Sequence, residues 1–519
     1  MLLKKILIVS AAVLACLCFS GPAAAAEIQP AEEFGSLFDA VEMERVFQDS
    51  KAFCDSQPKY PPREIMQSYR LLLEIFVTKH FDVPSDVPGT FKSDPAMPVE
   101  EHIGRLWPFL TRQLETKDGS SLISLPHPHI VPAGRFREAY YWDSYFIMLG
   151  LQAQRRVDMM ENMVDNFAYL IDMIGFIPSG NRSYYKSRSQ PPFFSLMVSL
   201  LAEERGDAVY EKYLPFLEKE YRFWMDGAEK LGRSNREERR VVLMPDGGIL
   251  NRYWDDDPSP RPESYYQDVM RARDSDLDPR ELYRNIRAAA ESGWDCSNRW
   301  LAAGSGLDTI HTTHIIPVDL NALLYNLEMT LSKAHGIAGD RKKEQYYRYM
   351  AEQRMSAVNT YCWDKEDEFY RDYDFRLEKQ TPVLSLAGMF PLFFRMADED
   401  QAEAVADRIE DEFLGAGGLV TTLALGSRQQ WDAPYGWAPL QWISVQGLRN
   451  YDHKKLAGTI VKRWVELNRK VYKNTGRMME KYNVIDTTLA DGGGEYPDQD
   501  GFGWTNGVFL KMVSEGTGK

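Results

Sequence analysis

The sequence predicts a mainly α-helical chain whose helices form a ring, with their connecting loops gathered at one mouth. Three observations lead there. From about residue 157 to 474, apolar residues recur three and four positions apart, the period of a helix with one buried face. Alternating β-branched runs flanked by two-residue turn signals, the mark of hairpins, are scarce. The helical stretches are separated by long loops dense in Trp, Tyr, Arg, Gly and carboxylates, where short polar turns would be ordinary. Loops of that kind inside a compact chain are more often functional than idle.

Residues 1–26 read as an export signal: Lys4 and Lys5, an apolar stretch from Ile6 to Phe19, then small residues Ala23 to Ala26 before Glu27. That stretch is too short to span a bilayer, which takes about 18–20 apolar residues, and no later window reaches that length. A retained anchor and a lipid attachment at Cys16 are the alternatives. The mature protein is expected to be exported to the periplasm, with secretion to the exterior as the alternative, and to have no membrane contact after the signal is removed. Segment 27–90 carries helical signals from Leu37 to Phe47 and from Ile65 to Phe76, and reads as an extension packed on the main body.

The helical stripes follow in order. Val157, Met160, Val164, Phe167, Ile171 and Ile174 make the first. Leu214, Leu217, Tyr221 and Trp224 make the second. Leu320, Leu323, Leu324, Leu327 and Leu331 make the third; Val405, Ile409 and Phe413 the fourth; Leu456, Ile460, Trp464 and Leu467 the fifth. The rich loops lie near 132–146, 179–194, 251–266, 291–300, 428–442 and 478–508. A Pro-rich stretch at 84–98 and an acid- and Pro-rich one at 255–280 read as decorated loops, not hinges, and no repeat of fixed short period occurs. Residues 27–519 are therefore expected to form one domain.

With 61 Lys and Arg against 76 Asp and Glu, the net charge is −15 and no basic block occurs. Such a field repels a phosphate backbone, so nucleic acid is not an expected partner. The ordinary apolar and Gly/Pro content excludes collagen-like and disordered readings. Cys16 and Cys18 fall in the signal; Cys54, Cys296 and Cys362 are too few and too odd for a disulfide framework and are expected as buried thiols, with one bridge as the alternative. No metal is expected. His311-Thr312-Thr313-His314 lacks the Glu of a zinc-protease helix, and Asp498-Gln499-Asp500-Gly501 lacks calcium-loop spacing. Asp255-Asp256-Asp257 reads as a solvated acid run, and Gly492 to Gly494 has no following Lys-Ser/Thr to make a phosphate cradle.

Two segments carry chemistry. Pro132-Ala133-Gly134-Arg135-Phe136-Arg137-Glu138-Ala139-Tyr140-Tyr141-Trp142-Asp143-Ser144-Tyr145 places a forked donor, an aromatic plate and an acceptor close together. That set suits a polyol, whose C–H faces want flat apolar surface and whose hydroxyls want polar groups. A helix entrance in which Arg and Asp pair and the rings are core is the plain alternative. Gln429-Gln430-Trp431-Asp432-Ala433-Pro434-Tyr435-Gly436-Trp437-Ala438-Pro439 repeats the recipe on a backbone stiffened by Pro.

The first segment resembles the trehalase signature P-G-G-R-F-x-E-x-Y-x-W-D-x-Y, departing at Ala133, and the second resembles Q-W-D-x-P-x-G-W-A-P throughout. Asn181-Arg182, Arg188-Ser189-Gln190-Pro191-Pro192, Arg261-Pro262-Glu263 and Glu291-Ser292-Gly293-Trp294-Asp295 are similar to stretches of the same family. So are Glu480-Lys481-Tyr482, Gly492-Gly493-Gly494-Glu495-Tyr496-Pro497 and Gly501-Phe502-Gly503-Trp504-Thr505-Asn506-Gly507. The likeness covers essentially the whole mature chain. It implies an all-α (α/α)6 toroid that hydrolyses α,α-trehalose to two glucoses with inversion. The partner is then a small-molecule sugar, no cofactor is implied, and the chain is expected to act as a monomer.

Acetal hydrolysis near neutral pH needs an acid for the departing oxygen and a base for the incoming water. Asp295, after Gly293 and Trp294, sits in a setting apolar enough to keep a carboxyl protonated, although an ordinary helix-start Asp before Ser297 would look the same. The resemblance assigns Asp295 as general acid and Glu480 as general base. On side-chain chemistry alone Glu480 could be a surface Glu paired with Lys481, and Glu495, carried by a triple-glycine loop, competes with it. By resemblance Glu495 binds sugar, as do Arg135, Trp142, Asp143, Ser179, Arg188, Ser189, Gln190, Arg261, Pro262, Glu263 and Gly293. Ser179 stands where relatives often carry Asn, so its shorter reach implies a contact through water. The arginines donate forked hydrogen bonds and can help keep the base ionised. Another toroidal glycosidase acting on a different α-linked disaccharide, or an inactive trehalose-binding protein, are the rival readings; the presence of both Asp295 and Glu480 favours the enzyme.

Overall fold

The computed structural model describes residues 28–69, 73–84, 91, 93–113, 119–295, 297–302, 306, 309–424, 426–427, 429–489 and 501–517. Glu495, Cys296 and the export signal lie outside these residues. Helices dominate, and the strands form two- and three-stranded antiparallel ladders between them.

Six helical segments close a ring. In chain order they are Tyr141–Ala153, Phe194–Arg205, Val318–Ile337, Phe390–Phe393 with the 3-10 turn Leu386–Met389 leading into it, Ala438–Asn450 and Gly503–Thr517. Each packs against the next, and the last packs on the first. The closing seam is glycine on glycine: a Cβ on Gly507 would fall 1.9 Å from the Phe146 carbonyl oxygen, and one on Gly150 would fall 2.6 Å from Gly507 Cα. Any side chain there would wedge the ring open.

Outside the ring, Val157–Ile174, Ala208–Trp224 and Lys454–Thr475 each pack on the two inner helices they connect, and Arg341–Tyr361 packs on Val318–Ile337. Three of these outer helices carry the first, second and fifth stripes read from the sequence. The first, second, third and fifth stripes fall inside single helices, the third on the inner helix Val318–Ile337; the fourth spans Glu399–Arg408 and a π-turn at Ile409–Phe413.

Several expectations need correction. The loops at 132–146, 428–442 and 478–508 each end in an inner helix. The helix Tyr141–Ala153 is buried at every position from Tyr141 to Leu151, so it has no polar face and no amphipathic stripe to read. The stretch 255–280 contains a helix at Tyr265–Asp274. The extension helix Pro30–Met43 stops short of Phe47, with Arg45 at φ +50° beyond it, and the signal from Ile65 to Phe76 falls on two helices, Pro62–Ser68 and Leu73–His80. Phe34, Phe38, Phe53, Ile65 and Phe81 form a small apolar core of the extension, which packs against Tyr140, Tyr184 and Tyr185 of the ring side. Cys54 and Cys362 are buried free thiols.

Candidate active site

A cavity opens where the inner helices begin. Trp142 and Asp143 occupy the first turn of Tyr141–Ala153, Gln190 precedes Phe194–Arg205, Trp437 precedes Ala438–Asn450, and Trp504 lies in the first turn of Gly503–Thr517; all of them line it. Four helix N-termini therefore direct their positive ends toward one space, a field that favours carboxylates there. The cavity is also lined by Arg135, Ser179, Arg188, Arg261, Glu263, Gly293, Asp295, Glu480, Trp431 and Lys51.

Glu480 reaches the site through a strand pairing. Lys481–Asn483 runs antiparallel to Tyr435–Trp437, with Lys481 opposite Trp437, so the second signature and Glu480 share one ladder. The Trp504 indole N–H donates to the Glu480 carbonyl at 2.9 Å and the Thr505 hydroxyl to the Met479 carbonyl at 2.8 Å, pinning that backbone to the last inner helix. Glu480 is 1% exposed, and its Oε2 lies 3.5 Å from Lys481 Nζ, itself buried and 5.4 Å over the Trp437 ring. The pairing with Lys481 raised by the sequence exists, but inside the protein and not on its surface.

Asp295 follows the helix Pro279–Glu291. Gly293, at φ +75°, turns the chain so closely that a Cβ there would lie 2.8 Å from Trp142 Cε2. Trp294 is fully buried, but the Asp295 side chain is 32% exposed and its Oδ2 lies 3.6 Å from Arg261 Nη1. The expected apolar enclosure thus applies to its neighbour more than to its own carboxyl. Beneath this loop the Asp432 carboxylate accepts from the Ser297 hydroxyl and the Asn298 N–H, each at 2.9 Å, and from Thr422 and Ser427. The Asp of the second signature therefore serves as an anchor, while the Trp residues of that signature face the cavity.

An aromatic stack joins the two halves. Trp294 stacks on Trp431 with centroids 5.4 Å apart, and Trp431 stacks on Trp437 at 3.8 Å; Trp142 and Trp504 meet Trp431 at 5.8 and 6.1 Å. These rings give a rigid apolar floor of the kind that a pyranose C–H face packs on.

The three arginines are each committed to a carboxylate. Arg135 makes a two-point fork on Asp49, Arg261 makes one on Asp268 at 2.8 and 2.9 Å, and Arg188 donates to Glu263. Burial opposes ionisation of Glu263, but Arg188, Arg261 and Arg287 together hold its carboxyl below the usual value. Arg188 Nη1 faces Asp255 Oδ2 at 3.6 Å, while Arg188 Nε and Glu263 Oε2 are buried with no hydrogen-bond partner among the described residues, leaving a donor and an acceptor for a ligand. Asp143 differs: burial, and secondarily the Glu480 charge, push its carboxyl well above the usual value. A neutral carboxyl can donate as well as accept. Arg261 lies beside Asp295, and Lys481 lies beside Glu480.

Two sequence expectations lie off the wall. Ser189 donates its hydroxyl to the Ile177 carbonyl and its N–H to Glu291, and Pro262 only starts a 3-10 turn; neither is among the residues lining the cavity. The Ser179 hydroxyl donates to the Ser189 carbonyl at 2.6 Å, which uses its proton within the protein. Asp49 and Lys51 escape a reading of the sequence, because their partners Arg135 and Glu138 lie 86 and 87 positions away.

Comparison with protein families matches residues 74–516 to the family described as Trehalase. The chain belongs to the trehalase family. It is 45% identical to the periplasmic trehalase of Escherichia coli (strain K12), over 96% of this chain and 90% of that protein. Among solved structures it resembles the neutral trehalase of Saccharomyces cerevisiae, with a TM-score of 0.61 at 25% identity, covering 74% of this chain and 73% of the other. The mannosylglycerate hydrolase of Thermus thermophilus matches with a TM-score of 0.54 at 17% identity, covering 80% and 100%, and shares the fold. The closed ring described above is the (α/α)6 toroid of these enzymes.

Proposed function

We propose that the protein is an exported α,α-trehalase that hydrolyses trehalose to two glucoses with inversion. The observation that carries this reading is that Asp295 and Glu480 line one tryptophan-floored cavity in a chain of this family. Asp295 gives its proton to the bridging oxygen as the bond to the anomeric carbon breaks. Glu480 takes a proton from a water whose oxygen attacks that carbon from the opposite face. One glucose leaves as the α anomer and the other forms as β. Solvent then returns the proton to Asp295 and removes it from Glu480.

The setting supports these roles. Glu480 is buried against the Lys481 ammonium, which favours a carboxylate able to accept a proton, and Asp295 stands on the more open side, where a leaving sugar can depart. Inversion requires about 6.5–9.5 Å between the carboxyl groups, room for the water. Arg135, Arg188, Arg261, Asp143, Gln190 and Glu263 would hold the hydroxyls, with Trp142, Trp431, Trp437 and Trp504 beneath the rings. Glu495 remains a proposed sugar ligand. Export to the periplasm rests on segment 1–26 and on the relatives' periplasmic names. No helix among the described residues is long and apolar enough to cross a membrane. Incubating the purified chain with trehalose and following glucose anomers by NMR tests the reading; equal initial α and β signals are expected, and α anomer alone would overturn inversion.

A further inference from the structure

The first signature turns sharply at Gly134 (φ +56°) and carries Arg135, Arg137 and Glu138 on the loop that follows. A single segment of the N-terminal extension grips all three. Asp49 takes the Arg135 guanidinium at two points, Oδ2 to Nε at 2.8 Å and Oδ1 to Nη2 at 2.5 Å. Lys51 Nζ reaches Glu138 Oε2 at 2.7 Å, and Asp55 Oδ2 lies 3.4 Å from Arg137 Nη1. Asp49 is itself fixed, since its Oδ1 accepts the Lys51 N–H at 3.0 Å at the start of the short helix Lys51–Cys54.

These contacts divide the work. Lys51, Asp55, Glu138 and Arg182 form a buried network whose loss would damage folding, because each would strand a charge away from water. The Asp49–Arg135 pair lies at the rim, with side chains 34% and 17% exposed. Pairs of that exposure add little to stability. What a two-point fork does supply is direction: it fixes the plane of a guanidinium that would otherwise sample many rotamers. Arg135 lines the cavity, whereas Asp49 is not among its lining residues.

We propose that Asp49 is a positioning residue, whose carboxylate orients the Arg135 guanidinium toward the sugar, so that the N-terminal extension is a working part of the active site. The proposal rests on reading the cavity as the trehalose site. It predicts that the influence of Asp49 on turnover passes through Arg135.

The test measures kcat, KM and melting temperature on trehalose for the wild type, Asp49→Asn, Asp49→Glu, Arg135→Gln and the Asp49→Asn/Arg135→Gln double variant. Asp49→Asn is expected to lower kcat/KM about ten- to a hundredfold, the scale that about an ångström of misplacement costs, mainly through KM, with melting shifted by no more than a few degrees. Asp49→Glu, which keeps the charge, should recover part of the loss. In the Arg135→Gln background, Asp49→Asn should add nothing. An Asp49→Asn enzyme with wild-type kcat/KM overturns the proposal. So does an equal loss in both backgrounds, or a variant that fails to fold, since either would make Asp49 a support of the fold. A wild type that releases no glucose from trehalose would instead fail the functional reading, and the same variants are then compared by calorimetric binding of trehalose.

Discussion

Gly293→Ala probes the link between backbone geometry and the site most directly. The position sits at φ +75°, where a Cβ costs about 1–2 kcal/mol in any L residue. The added methyl would also lie 2.8 Å from Trp142 Cε2 and 2.9 Å from Cζ2, closer than ordinary carbon–carbon contact by about 0.6–1.2 Å. Trp142 cannot retreat freely, because Phe146, Phe193, Trp431 and Trp504 surround it. Overpacking of that kind costs about 1–3 kcal/mol, so the variant should lose about 2–5 kcal/mol in all. Because the displaced ring is cavity wall and the strained turn carries Asp295, kcat/KM for trehalose should fall about ten- to a hundredfold. Guanidinium unfolding followed by tryptophan fluorescence gives the first quantity, and a coupled glucose assay the second. A variant with the wild-type midpoint and wild-type kcat/KM would refute the claim that Gly293 and Trp142 are locked together.

Other substitutions separate the remaining contributions. Asp295→Asn and Glu480→Gln should each cut kcat by about a hundredfold or more while melting stays close to wild type, because each keeps its shape but loses proton transfer; Glu495→Gln should act mainly on KM, and the reverse pattern would move the base role to Glu495. Asp432→Ala would strand the Ser297, Thr422 and Ser427 hydroxyls and the Asn298 N–H. At about 1–3 kcal/mol for a stranded buried group, it should destabilise by several kcal/mol, with Asp432→Asn milder, both read by denaturant unfolding. In acid, His129 and Asp55 act in different pH windows. Burial holds His129 at about 4, so the unfolded chain binds a proton the native state refuses, and stability falls as pH drops from the ordinary value near 6.5 toward 4. Asp55, buried but held at about 2 by Arg182 and Lys51, contributes stability above its ordinary 3.8 that is lost as pH falls toward 2. His129→Phe should therefore lessen the loss of melting temperature between about pH 6.5 and 4 relative to the wild type, while His102, likewise held at about 4 by burial, keeps its own share of that loss.

Legibility in the sequence followed the kind of burial. The outer helices were readable because one face meets water, which imposes the period that Val157 to Ile174 or Leu456 to Leu467 display. Inner helices such as Tyr141–Ala153 are apolar all round, so their beginnings looked like the ends of loops. Site residues on the signatures were legible as residue types, and most of them meet in one cavity. Their supports were not, since Asp49 and Arg135 are 86 positions apart and Ser297 and Asp432 are 135 apart.

By itself, the sequence determined that this is a helical chain of the trehalase family, with its polar and aromatic side chains concentrated between helices. Periodicity and motif order are local properties, and they survive in one dimension. Closure of the ring through Gly150 and Gly507, the inward turn of Asp432, the burial of Glu480 against Lys481 and the grip of Asp49 on Arg135 were decided only in three dimensions. Each depends on packing between segments far apart in the chain, where contact distances of a few ångströms decide which groups face the cavity and which become its supports.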